Sequence, residues 1–193
     1  MYRFYRGLAR LVVWLFAPLR FENRERLPQQ GPLIIVANHR SLLDGFIFVA
    51  LFRQKVGFLS AAYLFQMPIV GWILRDISVP TGSVAGVRQL IAALEAGGVV
   101  ALFPEGGVRT EQRLDGLGDI AAYLATKTGA PVVPVAIHGA TDVLPVGKYL
   151  PRRRPVRLVV GESRRLEPGL KRGALLEATT EWMAEIFAME PRP

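Results

Sequence analysis

From residue 33 onward, short apolar runs alternate with longer segments in which apolar positions recur every three or four residues. Leu33-Ile34-Ile35-Val36-Ala37 and Val99-Val100-Ala101-Leu102-Phe103 are unbroken apolar runs. Such runs mark strands covered on both faces, as in a parallel sheet. Further strands are predicted over 56–60, 77–79, 132–137 and 156–160. Helical spacing predicts a helix over 41–52, with Ser41 as its N-cap and Asp44 three residues on. Others are expected over 63–74, interrupted by Pro68, over 84–95, ended by Gly97-Gly98, over 118–128, ended by Gly129, and over 170–189. This alternation predicts one α/β domain over 21–193, with a mostly parallel, mixed central sheet and helices on both of its faces.

Residues 1–20 read differently. At about 100° per residue, Arg3, Arg6 and Arg10 fall in one narrow arc of a helix. Phe4, Leu8, Leu11, Leu15 and Phe16 lie mostly on its other sides, with Trp14 suited to a headgroup boundary. That pattern fits an amphipathic helix lying in a membrane interface, and equally a terminal helix that packs on its own domain. The early apolar run, 11–17, is too short for the ~18 residues of a membrane span. A secretory signal is not expected, because Pro18-Leu19-Arg20-Phe21 follows where a small-residue cleavage site would stand.

Composition narrows the partners. The 193 residues carry 24 Lys+Arg against 16 Asp+Glu, a formal charge of +8, and 20 of the basic residues are Arg. The charge favours an anionic partner, and Arg is the better phosphate fork. Nine basic residues between Lys148 and Arg172 face only Glu162 and Glu167. This stretch reads as a solvated edge or as a surface for anionic headgroups, coenzyme A phosphates or an acidic carrier protein. Nucleic acid ranks last, because no nucleic-acid motif accompanies the charge. The absence of Cys excludes disulfides, thiolate metal sites and Cys nucleophiles. With only His39 and His138, no His-built metal centre is expected.

Open α/β sheets bind ligands beyond the carboxyl ends of their strands. After the first apolar run comes Asn38-His39-Arg40-Ser41-Leu42-Leu43-Asp44. With His39 in the loop and Asp44 in the first helical turn, the carboxylate can reach back to the imidazole, giving a base and its orienter. A plain capping box explains the same spacing. After the later run comes Phe103-Pro104-Glu105-Gly106-Gly107-Val108-Arg109. Its glycines allow close backbone approach, and its N–H groups with Arg109 suit an anion. Taken alone, this is also an ordinary turn. His138 reads as structural.

Four elements in order resemble the PlsC-like lysophospholipid (1-acylglycerol-3-phosphate) acyltransferase family. Asn38 to Asp44 matches N-H-x-S-x-x-D, and Gly71-Trp72-Ile73-Leu74-Arg75 matches G-W-x-x-R. Phe103-Pro104-Glu105-Gly106 matches the opening of F-P-E-G-T-R, and Val132 to Ile137 matches V-P-V-A. The resemblance runs from about Leu27 to Pro145. It implies transfer of a fatty acyl group from acyl-CoA or acyl carrier protein to the free hydroxyl of a lysophospholipid, 1-acyl-sn-glycerol-3-phosphate in the first instance. His39 would be the general base and Asp44 its orienter. Glu105, Gly106, Gly107, Arg109 and Arg75 would bind substrate. No metal and no cofactor beyond the acyl donor is implied, and the place of action would be the cytoplasmic face of the cell membrane.

Three departures stand out. Arg109 falls four positions after Glu105 instead of three, Val79-Pro80-Thr81-Gly82-Ser83 lacks the family's basic residue, and Gly116-Leu117-Gly118-Asp119 stands where a Lys-x-Gly element often precedes the helix of Ala121-Ala122-Tyr123-Leu124. The same chemistry on a non-phosphate lipid or alcohol, or a non-catalytic protein that binds anionic lipid, therefore remain as alternatives.

Overall fold

The computed structural model describes residues 2–66, 68–109, 111–145, 148 and 150–189, with only the backbone of 68–70. The elements in order are α1 (Tyr2–Phe16), β1 (Leu19–Glu22), β2 (Leu33–Ala37), α2 (Leu43–Leu51), β3 (Val56–Ser60), α3 (Pro68–Ile77) and β4 (Ser78–Pro80). They continue with α4 (Val84–Glu95), β5 (Val99–Leu102), α5 (Ile120–Thr128), β6 (Val132–His138), α6 (Ala140–Val143), β7 (Val156–Val160) and α7 (Arg172–Met189). A 3-10 turn, Ala62–Gln66, precedes α3, so Pro68 divides the 63–74 segment into two helical pieces. It opens the second, as a residue without an N–H can.

The seven strands form one sheet in the order β1-β7-β6-β2-β5-β3-β4. Every pairing is parallel except β6 with β7. This is the mixed, mostly parallel sheet expected. β2 and β5 lie side by side at its centre, and every residue of both is buried. Successive residues of β2 serve opposite faces. Leu33, Ile35 and Ala37 join the core beneath α1 and α2, whereas Ile34 and Val36 join the core of α4, α5 and α7. Burial on both sides is why these strands read as continuous apolar runs.

Two elements went unforeseen. β1, Leu-Arg-Phe-Glu, alternates for only four residues. α6 is a single turn. The boundary expected after residue 20 falls inside β1, and Ala9, Val13 and Ala17 share the core of β2.

α1 presents two apolar stripes. Tyr5, Ala9 and Val13 face inward, and Tyr5 meets the Trp72 ring edge-on at 5.3 Å. Phe4, Leu8, Leu11, Trp14 and Leu15 stay exposed, Trp14 at 71%. One side of the helix thus packs on its own domain, and another side stays exposed. Among the described residues, no helix is long and apolar enough to cross a membrane.

Candidate active site

The chain leaves β2 at Ala37, and Asn38 ends the strand by side-chain pairing. Its Nδ2 donates to the Ile137 carbonyl at 2.9 Å, and its Oδ1 accepts the Ile137 N–H at 2.7 Å. The amide thereby extends the β2–β6 ladder by one rung and holds the next residue at the strand mouth. That residue is His39. Its Nδ1 lies 2.9 Å from Asp44 Oδ2. The same carboxylate oxygen accepts the backbone N–H groups of Arg40 at 2.8 Å and Ser41 at 2.9 Å. Asp44 is completely buried and stands in the first turn of α2, where a carboxylate complements the helix dipole.

Leu42 occupies the cap position of α2 and its side chain makes no cap bond, while the Ser41 hydroxyl, one residue earlier, accepts the N–H of Leu43, the first helical residue, at 3.3 Å. The same hydroxyl donates to the Leu144 carbonyl at 2.9 Å, tying the 38–44 loop to the segment after α6. The carboxylate half of the expected capping box, Asp44 to the Ser41 N–H, is present.

The imidazole of His39 lies flat against Phe103, with ring centroids 4.2 Å apart and planes 17° apart. Phe48 backs Phe103. Among the described residues, Nε2 has no hydrogen-bond partner, and the side chain is 17% exposed. A base whose far nitrogen is fixed, whose face is supported and whose near nitrogen is open can take a proton from a bound hydroxyl.

Glu105 follows β5 on the neighbouring strand, and its side chain is fully enclosed. One carboxylate oxygen accepts the His39 backbone N–H at 2.9 Å, and the other meets Arg40 Nη1 at 3.1 Å. Burial pushes the Glu105 carboxyl above its ordinary pKa. The His39 N–H, then Arg40, Arg109 and His39, pull the other way. Gly106 adopts φ +72°, a conformation that favours glycine, and its N–H closes a turn onto the Phe103 carbonyl at 3.0 Å. Gly107 is exposed beside it.

The Arg109 backbone N–H donates to the His39 carbonyl at 2.9 Å, so the two sequence-distant loops are bonded directly. The Arg109 guanidinium donates to the Asp115 carbonyl at 3.1 Å. Arg75 stands apart from this group. It lies in the last turn of α3, donates to the Phe65 carbonyl at 3.5 Å, and precedes Asp76, which pairs with Lys55 just before β3 begins. Its backbone therefore sits toward the amino end of the sheet, away from His39.

Sequence reasoning singled out His39, Asp44, Glu105 and Arg109, and these converge. It overlooked the parts played by Asn38, Arg40 and Phe103. Asn38, a polar residue directly after a wholly apolar strand, carried a readable signal. Arg40 carried none, since its partners lie some 65 to 71 positions away.

The Acyltransferase family profile matches residues 18–138. The chloroplastic 1-acyl-sn-glycerol-3-phosphate acyltransferase of Arabidopsis thaliana is 30% identical over 147 residues, covering 72% of this chain and 41% of that protein. The 1-acyl-sn-glycerol-3-phosphate acyltransferase of Bacillus subtilis is 25% identical over 168 residues, covering 84% of this chain and 81% of that protein. The crystal structure of the 1-acyl-sn-glycerophosphate acyltransferase PlsC from Thermotoga maritima matches with a TM-score of 0.71 and 26% identity, over 99% of this chain and 81% of that one. The aligned part of the plant and algal relatives is 41% to 52% of their length. With the profile spanning most of the chain and the fold shared with PlsC, the chain belongs to the acyltransferase family, on its PlsC-like glycerolipid branch.

Proposed function

We propose that this protein transfers a fatty acyl group from a thioester donor, acyl-CoA or acyl carrier protein, to the free hydroxyl of 1-acyl-sn-glycerol-3-phosphate. The observation that carries this reading is the 2.9 Å contact between His39 Nδ1 and Asp44 Oδ2, which leaves Nε2 as the base. Nε2 removes the hydroxyl proton as the oxygen attacks the thioester carbonyl. Asp44 fixes the tautomer and offsets the charge of the imidazolium. The tetrahedral intermediate collapses, the C–S bond breaks, and the imidazolium returns its proton to the departing thiolate. The new ester keeps the acceptor oxygen. With the Gly106 N–H taken by the Phe103 carbonyl, the backbone N–H of Gly107 is the one suited to the oxyanion, an effect worth roughly 3–4 kcal/mol per donor where it has been measured. Arg109 is the basic side chain best placed for the acceptor phosphate, with Gly106 and Gly107 beside it. Arg75, on α3, serves only a part of the substrate remote from the reacting hydroxyl.

The same reading places the protein on an anionic membrane surface at the cytoplasmic face. The exposed stripe of α1 supplies apolar contact. The Arg154 N–H donates to the Phe16 carbonyl at 2.9 Å, which sets the exposed run Arg152 to Arg154 against the end of that helix.

Product mass after incubation with an acyl thioester and a panel of acceptors is the test. Lysophosphatidate is expected to be acylated, and His39→Ala is expected to lower turnover by roughly 10²–10⁴-fold. Full turnover in His39→Ala overturns the mechanism. Preference for a neutral alcohol over lysophosphatidate overturns the acceptor, an outcome that the use of Arg109 by the Asp115 carbonyl would favour.

A further inference from the structure

Arg40 occupies the first variable position of N-H-x-S-x-x-D, yet its guanidinium is among the most enclosed charges of the described residues, with the side chain 10% exposed. Besides Glu105, its Nη1 reaches the carbonyls of Arg109 at 3.0 Å and Glu111 at 3.1 Å. The Phe187 ring of α7 lies 5.5 Å beneath it. The bonds form a closed circuit. The backbone N–H of His39 is held by Glu105, and that of Arg40 by Asp44. Glu105 and Arg40 hold each other, while Asp44 holds the imidazole. Glu105 thus fixes one backbone amide of this loop and Asp44 two, and the Arg40–Glu105 pair joins the circuit to the carbonyls of Arg109 and Glu111.

Resting on the function proposed above, we propose that Arg40 and Glu105 are positioning residues. Their buried ion pair is a latch that sets the His39 backbone against the 105–109 loop, and neither side chain touches substrate. The enclosure of Glu105 favours this over a contact with the acceptor. Both its oxygens are engaged inside the protein, and no part of the side chain is open to solvent. Arg is suited to the task because one planar fork can satisfy several acceptors whose positions are fixed. A buried pair of this kind gives little net stability, but breaking it by removing one partner is severe. Its worth therefore lies in geometry, where a displacement of about 1 Å can lower a rate by 10²-fold.

Two measurements on the full-length chain test the latch. The first compares steady-state kinetics of Arg40→Lys, Arg40→Met, Glu105→Gln and the Arg40→Met/Glu105→Gln double variant. The single neutral variants are expected to lose about 10²-fold in kcat, with KM for donor and acceptor changed by less than about threefold. Arg40→Lys should regain part of the loss, and the double variant should be no worse than the poorer single one. A raised acceptor KM with unchanged kcat in Glu105→Gln overturns the proposal, as does multiplication of the two single effects in the double variant.

The second measurement needs no turnover. Hydrogen exchange of the 39–44 and 105–111 segments should quicken together in Arg40→Met, less so in Arg40→Lys, with the rest of the sheet unchanged. Unchanged protection in those segments overturns the latch. Should Arg40→Met unfold, Arg40→Lys and the uncharged double variant carry both measurements. A wild-type chain that acylates no acceptor but shows this exchange pattern sinks the functional reading and leaves the latch standing.

Discussion

At the scale of single residues, the centre depends on one oxygen. Asp44 Oδ2 accepts three N–H donors, so one carboxylate both holds the His39 imidazole and shapes the loop that carries it. Asp44→Ala mixes the two roles, because buried backbone donors left without partners cost about 1–3 kcal/mol each. Asp44→Asn separates them better. The amide oxygen can still accept N–H groups, but the site loses the charge that stabilises an imidazolium. Turnover of Asp44→Asn is expected to fall on the order of 10²–10⁴-fold in kcat, with the unfolding midpoint in denaturant shifted far less than in Asp44→Ala. Equal loss of stability in the two variants would place Asp44 in the loop alone. Phe103 shows the limit of motif reading. Its run is continuous with β5, so it reads as one more strand residue, yet its ring is the surface on which the imidazole rests.

At the scale of elements, close backbone approach explains a glycine that a motif only names. A Cβ on Gly71 would overlap the carbonyl of Phe65, so α3 can lie against the preceding 3-10 turn only with glycine there. Gly71→Ala is expected to lower stability by about 1–3 kcal/mol. Gly173→Ala in α7, where nothing lies within 4 Å, should be neutral or stabilising by up to about 1 kcal/mol. Denaturant melts of the two variants check this, and equal shifts would remove the close-approach argument. Much of the element plan was legible for a physical reason. β2 and β5 are buried on both faces throughout, and β6 as far as Ile137, so these residues are apolar and the runs stand out. β1 was not legible, because two apolar residues among four cannot establish a period. The convergence of His39 and Asp44 was legible, since five positions separate them and a strand-to-helix turn brings them together. The contact between Arg40 and Glu105 was not, because only the adjacency of β2 and β5 creates it, and no local pattern encodes which strands become neighbours.

At the scale of the molecule, the exposed stripe of α1 and the net charge of +8 act together. Vesicles containing anionic lipid are expected to bind the protein, with affinity falling as salt screens the charge. Leu11→Ser with Trp14→Ser removes exposed apolar groups without touching the core stripe, and should weaken binding by roughly tenfold or more. Sedimentation with vesicles across a salt series reads both effects, and binding unchanged by the double substitution would leave α1 as scaffold alone. The strand order has a consequence of its own. After α2 the chain departs sideways, builds β3, α3, β4 and α4, and comes back at β5 next to where it left. That flank is an excursion hung on the edge of a finished centre. A change of length in that flank would fall at the β3–β4 edge of the sheet, while the 38–44 and 103–109 loops keep their grip on each other through the His39 and Arg109 backbones.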